Sequence, residues 1–163
     1  MDLAEPSSKL IFMRTVQIII NSKPKPSNVI NSNSLVIDAL NLLNSVNLSY
    51  LIVMDENEFK GIFSERDYTR NVVLKGRSSN TTTIKEVMSV DIPKVIVTDT
   101  IEDCMNMINI HKTRYLLAYD HDQFVGVITI HDLLRQVISS REDVFNHNLT
   151  KSLIDYDEGS RIY

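Results

Sequence analysis

Apolar residues follow two rhythms along this chain, and the pair of rhythms occurs twice. Val36, Ala39, Leu40 and Leu43 are spaced for one face of a helix, and Ile101, Cys104, Met105 and Ile108 repeat that spacing. Each stretch leads into a short unbroken apolar run, Tyr50-Leu51-Ile52-Val53-Met54 or Tyr115-Leu116-Leu117-Ala118-Tyr119. Runs this short, without alternation, read as buried strands. Each closes on a polar turn, Asp55-Glu56-Asn57-Glu58 or Asp120-His121-Asp122-Gln123, before a second apolar run over 59–63 or 124–128. Each copy therefore predicts a tight hairpin. A second helix is expected from 65 to about 74 and from 130 to about 138, with Gly76 capping the first of them. Short strands, Val29-Ile30 and Val95-Ile96-Val97, precede the first helices. The predicted unit is strand, helix, strand, strand, helix.

The polar positions repeat as well. Gly61-Ile62-Phe63-Ser64-Glu65-Arg66-Asp67 returns as Gly126-Val127-Ile128-Thr129-Ile130-His131-Asp132, an offset of 126 − 61 = 65. The same offset carries Asp38 to Asp103, Tyr50 to Tyr115, Asp55 to Asp120 and Arg70 to Arg135. In a repeat of this kind each copy is one supersecondary unit that buries its apolar face against the other. Two equivalent polar motifs then imply two equivalent sites. Arg77 to Thr82 reads as a polar linker, and Thr83-x-x-Glu86 as a capping box opening a short helix over 84–88. Its counterpart over 15–20 lies at an offset of 68, so the first copy carries three extra residues within 21–28. Pro24 and Pro26 exclude a helix interior there. The linear division is 1–80 for an N-terminal segment and the first repeat, 81–140 for the second, and 141–163 for a tail. In that tail Val144, Phe145, Leu149 and Leu153 fit one helical face.

Composition narrows the function classes. The net charge of −4, with no run of Lys and Arg, gives no footprint for nucleic acid. No apolar run approaches the ~18 residues of a membrane span, and Leu10 to Arg14 makes a poor signal peptide. A lone Cys104 at an apolar helix position fits a reducing cytoplasm. His111, His121, His131 and His147 lie too far apart for a local zinc motif. No nucleophile paired with a base and no second phosphate loop is present, so no enzyme is expected.

Ser64-x-x-Asp67 and Thr129-x-x-Asp132 fall at the strand-to-helix junctions. One reading is a pair of capping boxes, each hydroxyl satisfying a free backbone N–H. The other is a ligand site with the same geometry. A helix N-terminus offers N–H groups and a positive dipole end to an anion. A hydroxyl there donates to a phosphate, and an acid one turn later accepts from a ribose diol. The glycine six residues before each acid leaves room for a ligand's flat ring, or marks a strand bulge.

The full pattern, specific over Gly61 to Arg70, Leu74 to Ser79 and Glu86 to Ser89, resembles the cystathionine β-synthase (CBS) domain. It is similar to small stand-alone two-CBS proteins and to the CBS insert of IMP dehydrogenase. The resemblance implies an α/β fold of two β-α-β-β-α repeats packed with pseudo-twofold symmetry as a Bateman module, with adenine-nucleotide clefts between them. It implies that Asp67 and Asp132 bind ribose, and that Ser64 and Thr129 lie on the phosphate side. Arg66 matches a basic residue that reaches phosphate. Arg114 and Tyr115 match a pair lining the nucleotide, and Ser89 a residue facing the ligand. Lys23 matches a lysine usually followed by glycine, although Pro24 follows here. The family usually has histidine at Tyr115 and proline at Leu117. Asn47-Leu48-Ser49 lacks the charge that Arg114 brings to the second copy, so the clefts are expected to differ.

The resulting expectation is a cytoplasmic, homodimeric regulatory module that senses AMP, ADP, ATP or NADH and modulates a partner. It requires no cofactor and makes no contact with nucleic acid or membrane. Two rivals are a ligand-free structural or dimerisation module, in which both motifs are only caps, and an enzyme acting on the bound nucleotide.

Overall fold

The computed structural model describes residues 14–139. These form two compact units: 14–24 with 92–139, and 25–91. Both are α/β and follow the expected repeat of helices around a three-stranded sheet.

In the unit of 25–91, β1 (Val29–Ile30) runs parallel to β2 (Tyr50–Asp55), and β2 pairs antiparallel with β3 (Glu58–Ser64). Helix α2 (Val36–Val46) links β1 to β2. Leu51, Ile52 and Val53 of the central strand are all buried, as an unbroken apolar run requires. In the other unit β4 (Lys94–Ile96), α4 (Ile101–His111), β5 (Tyr115–Asp120) and β6 (Gln123–Thr129) repeat this arrangement. The repeat extends to backbone conformation. Asn47 and Lys112 end α2 and α4 in the left-handed region, and Glu56 and His121 open the hairpin turns in it.

The final helix differs between copies. Residues 130–139 form the regular helix α5 (Ile130–Ser139). Its counterpart begins as one turn, α3 (Glu65–Asp67), and widens into a π-helix over Tyr68–Val73, where a continuous α-helix was expected. The Thr69 hydroxyl donates to the Glu65 carbonyl at 3.1 Å, a back-bond that competes with the regular ladder. The amide of Leu74 then reaches back five residues to Thr69 at 3.0 Å. Gly76 closes the helix at φ 64, the cap expected from the sequence.

The compact units do not follow the linear division at residue 80. Helix α1 (Val16–Ser22) belongs with the second repeat, and the short 3-10 helix over Ile84–Glu86 belongs with the first. Main-chain bonds fix both in the same way. Val16 and Gln17 donate to the carbonyls of Asp99 and Val97, each at 2.9 Å, as Ile84 and Lys85 do to Ser34 and Ser32. Val16 and Ile19 complete the core of Val95, Ile101, Cys104, Leu116, Ile128 and Leu133. Ile84 and Val87 complete that of Ile30, Val36, Leu51, Phe63 and Val72. Helices this short are not stable alone, so each goes where its apolar face is covered. The tail at 141–163, including Val144, Phe145, Leu149 and Leu153, lies outside the described residues.

Candidate functional site

Strands β3 and β6 each end on a hydroxyl residue, and the chain then turns into a helix. Ser64 is extended, at φ −125 and ψ 167, as a helix N-cap requires. Asp67 folds back on it. Its Oδ2 accepts from the Ser64 amide at 2.8 Å and the Ser64 hydroxyl at 2.6 Å, and its own amide donates to Ser64 Oγ at 3.3 Å. Thr129 and Asp132 form the same box at 2.8, 3.0 and 3.2 Å. Both acids are buried, at 8% and 7% exposure. The capping reading of both motifs therefore holds.

The helix starts are further committed. The amide of Glu65 donates to the Ser49 carbonyl, and that of Ile130 to the Arg114 carbonyl, each at 3.2 Å. Two of the first three amides in each helix thus have protein partners, which shrinks the anion-binding corner expected there.

Each acid also has a partner from a distant segment, and here the units diverge. Ser89 pairs with Ile62 along the free edge of β3, with Ser89 N to Ile62 O at 2.8 Å and Ile62 N to Ser89 O at 2.9 Å. Its hydroxyl donates to Asp67 Oδ1 at 2.6 Å. In the other unit Lys23 fills both roles through one ammonium. Its Nζ donates to the Val127 carbonyl, the counterpart of Ile62, at 2.9 Å, and to Asp132 Oδ2 at 2.7 Å. Pro24 and the extra residues around it alter the path of the first segment at the point where Ser89 continues along the edge strand.

Gly61 does not leave room for a ligand ring. A Cβ there would lie 2.7 Å from the Ser89 carbonyl oxygen and 2.9 Å from Met88 Sδ, so its missing side chain admits the protein's own backbone. The bulge reading is correct for both copies. Val53 faces Gly61 while Met54 faces Phe59, leaving Lys60 as the extra residue, and Val125 is extra in the second copy.

The structure brings together Ser64, Asp67 and Ser89 in one unit and Lys23, Thr129 and Asp132 in the other. Arg66 and Arg114 are exposed, on different units. Tyr115 is half-buried and stands opposite Thr129 in the sheet, its backbone held by the Thr113 hydroxyl. Sequence reasoning missed Asn71, whose side chain donates to the Val87 carbonyl at 2.8 Å and steadies the segment carrying Ser89. A polar residue inside an otherwise amphipathic helix was its only signal. Among the described residues no group of three His, Cys, Asp or Glu is placed to hold a metal, and no helix is long and apolar enough to cross a membrane.

Comparison with known proteins agrees with this fold. The family model of the CBS domain matches residues 19–74 and 84–139. The mitochondrial CBS domain-containing protein CBSX3 of Arabidopsis thaliana is 24% identical over 138 residues, 79% of this chain and 67% of that protein. A solved protein with CBS domains from Burkholderia ambifaria MC40-6 superposes with a TM-score of 0.71 at 34% identity, covering 78% of this chain and 96% of its own. The structure of CBSX2 in complex with AMP gives a TM-score of 0.63 at 24% identity, over 77% of this chain and 97% of that one.

Proposed function

This chain belongs to the CBS-domain family, and on that premise we propose that it is a regulatory module that binds an adenine nucleotide and passes its ligand state to a partner protein. The observation that carries the reading is the buried carboxylate at the third position of each final helix, backed by a hydroxyl at the preceding strand end. A carboxylate so fixed is a preorganised acceptor for the two hydroxyls of a ribose. CBSX2 was solved with AMP, which makes AMP the first ligand to test. ADP, ATP and NADH share its adenosine part. Ligand biases the module between its conformational states by no more than its differential affinity for them.

One observation favours the rival reading of a ligand-free structural module. Both oxygens of Asp67 are already engaged by the protein. A thermal-shift panel of AMP, ADP, ATP, NADH and adenosine separates the two. A specific ligand at 100 times its dissociation constant adds about 2.7 kcal/mol of stability. If no adenine compound shifts the transition, the module is structural.

The assembly is proposed as a homodimer. Ile130 and Leu134, one turn apart on α5, are 37% and 41% exposed and favour self-association. Ile11, Phe12, Phe145 and Leu149, the terminal positions expected to need cover, lie outside the described residues. Light scattering at micromolar concentration should give twice the chain mass, and a monomer mass would refute the dimer. The plant relative CBSX3 is mitochondrial, so likeness to it does not favour the cytoplasm expected from cysteine usage.

A further inference from the structure

The two acids are alike in sequence and in capping, yet they are not alike as acceptors. Asp67 meets neutral donors: the amide and hydroxyl of Ser64 at Oδ2, and the hydroxyl of Ser89 at Oδ1. Among the described residues no cation is paired with it, while both of its oxygens have short hydrogen bonds, each of 2.6 Å. Ser89 is held to this task by the two-bond backbone bridge to Ile62, which the absent side chain of Gly61 permits. Asp132 has the reverse character. Three donors, the amide and hydroxyl of Thr129 and the Lys23 ammonium, converge on Oδ2. Among the described residues, Oδ1 has the Arg135 guanidinium at 3.9 Å, beyond hydrogen-bond reach. The Lys23–Asp132 pair carries no net charge.

From this difference we infer that Lys23 and Ser89 make the two acids select different ligands: Asp132 takes phosphorylated ribosides, and Asp67 is held closed by Ser89 and disfavours anions. The inference rests on the proposed ribose-binding role of the acids. At Asp67 a diol must replace the Ser89 hydroxyl, so one hydrogen bond is exchanged for another and little is gained. An incoming phosphate also meets a carboxylate whose charge is not neutralised, which raises its energy. At Asp132 a diol hydroxyl adds a bond at Oδ1 without displacing a donor. The Lys23 ammonium removes the repulsion and, on its flexible stem, serves as a point charge for the phosphate. Lys23 and Ser89 are thus specificity-determining residues acting through the acids.

The test is calorimetric titration of the full chain with AMP and with adenosine, in wild type and in Lys23→Gln, Lys23→Arg, Ser89→Ala and Asp132→Asn. Wild type should take one equivalent of AMP at least about tenfold more tightly than any second, and Asp132→Asn should remove that tight step. Lys23→Gln should weaken AMP by about tenfold or more while changing adenosine less, and Lys23→Arg should restore AMP. Ser89→Ala should strengthen adenosine at the Asp67 site by several-fold, about the effect of one freed acceptor. Two equal AMP sites in wild type overturn the inference and leave the proposed function standing. So does equal weakening of AMP and adenosine in Lys23→Gln, which marks Lys23 as a structural tie. No binding of either ligand by any protein in the set overturns the inference and the proposed function together. Because a lost tie in Lys23→Gln can impair folding, Ser89→Ala decides independently: unchanged adenosine binding there refutes the lock.

Discussion

The ammonium of Lys23 stands 2.7 Å from Oδ2 of Asp132, across 109 positions of sequence. The lysine side chain is 29% exposed and the acid 8%, so the pair straddles the boundary of the unit. One ammonium there does what a main-chain amide and a hydroxyl do in the other copy, because it also holds the carbonyl of Val127.

Removing that ammonium should therefore destabilise the protein without any ligand present. Lys23→Met leaves a nearly buried carboxylate with its cap and the Arg135 guanidinium at 3.9 Å, and a strand carbonyl with one donor fewer. The expected loss is about 1–3 kcal/mol, below the figure for a fully buried pair because the lysine is partly solvated. Urea denaturation measures it. A loss under about 0.5 kcal/mol would class the pair with ordinary surface ion pairs.

Two glycines should respond to alanine for different reasons. At Gly61 the new methyl would sit 2.7 Å from a backbone oxygen that is tied into the Ile62–Ser89 bridge, so the edge must move. Overpacking of this kind costs about 1–3 kcal/mol. At Gly76 a Cβ meets nothing within 4 Å, but φ is +64. There the left-handed conformation alone costs about 1–2 kcal/mol. Hydrogen exchange distinguishes them: Gly61→Ala should expose the amides of Ile62 and Ser89, and Gly76→Ala should not.

Acid should loosen the N-terminal cap of α4. Asp103 is held below its ordinary value of 3.8 by the Thr100 hydroxyl and then the Thr100 amide. A carboxyl depressed on folding contributes stability above its unfolded value and loses it as the pH falls through the folded one. Carbon-detected NMR titration should place the Asp103 midpoint below 3.8, and Thr100→Val should raise it towards that value. Asp38, at the same place in the first copy, faces Leu35, which has only a backbone donor, at 3.3 Å. Deleting its carboxyl should matter less than deleting that of Asp103.

Arg114 tests how the second repeat recognises phosphate. It is exposed, and its carbonyl already holds the first amide of α5, so the guanidinium lies on the segment beside Thr129. If it reads phosphate, Arg114→Ala should reduce the preference for AMP over adenosine by about 1.5–3 kcal/mol, the worth of a charged hydrogen bond. Adenosine binding should barely change. Equal loss for both compounds, or none, removes Arg114 from the site.

Much of this architecture is legible in sequence because it is local. The helical faces, the apolar strands, the Thr83–Glu86 box and the Gly76 cap all depend on residues within a few positions of one another. So do the Ser64–Asp67 and Thr129–Asp132 boxes. The offset of 65 then predicts the same strands, helices and capping box in both copies. What escaped depends on distant pairs. Ser89 meets Asp67 across 22 positions, and Lys23 meets Val127 across 104. No periodicity encodes such contacts. Gly61 shows the same limit: one missing Cβ serves a ligand or a neighbouring strand equally well, and only the strand's position decides.

The exchange of short helices sets the order in which the chain can finish folding as it is synthesised. Helix α1 leaves the ribosome before either sheet, yet the residues that cover Val16 and Ile19 run from Val95 to Leu133. The unit of 25–91 has all of its core once Val87 has emerged, and can close while the rest is still being made. Helix α1 therefore waits until Leu133 has emerged. Its apolar face needs protection throughout that interval, and a premature stop between residues 91 and 133 would leave the unit of 25–91 with its core and α1 without the whole of its own.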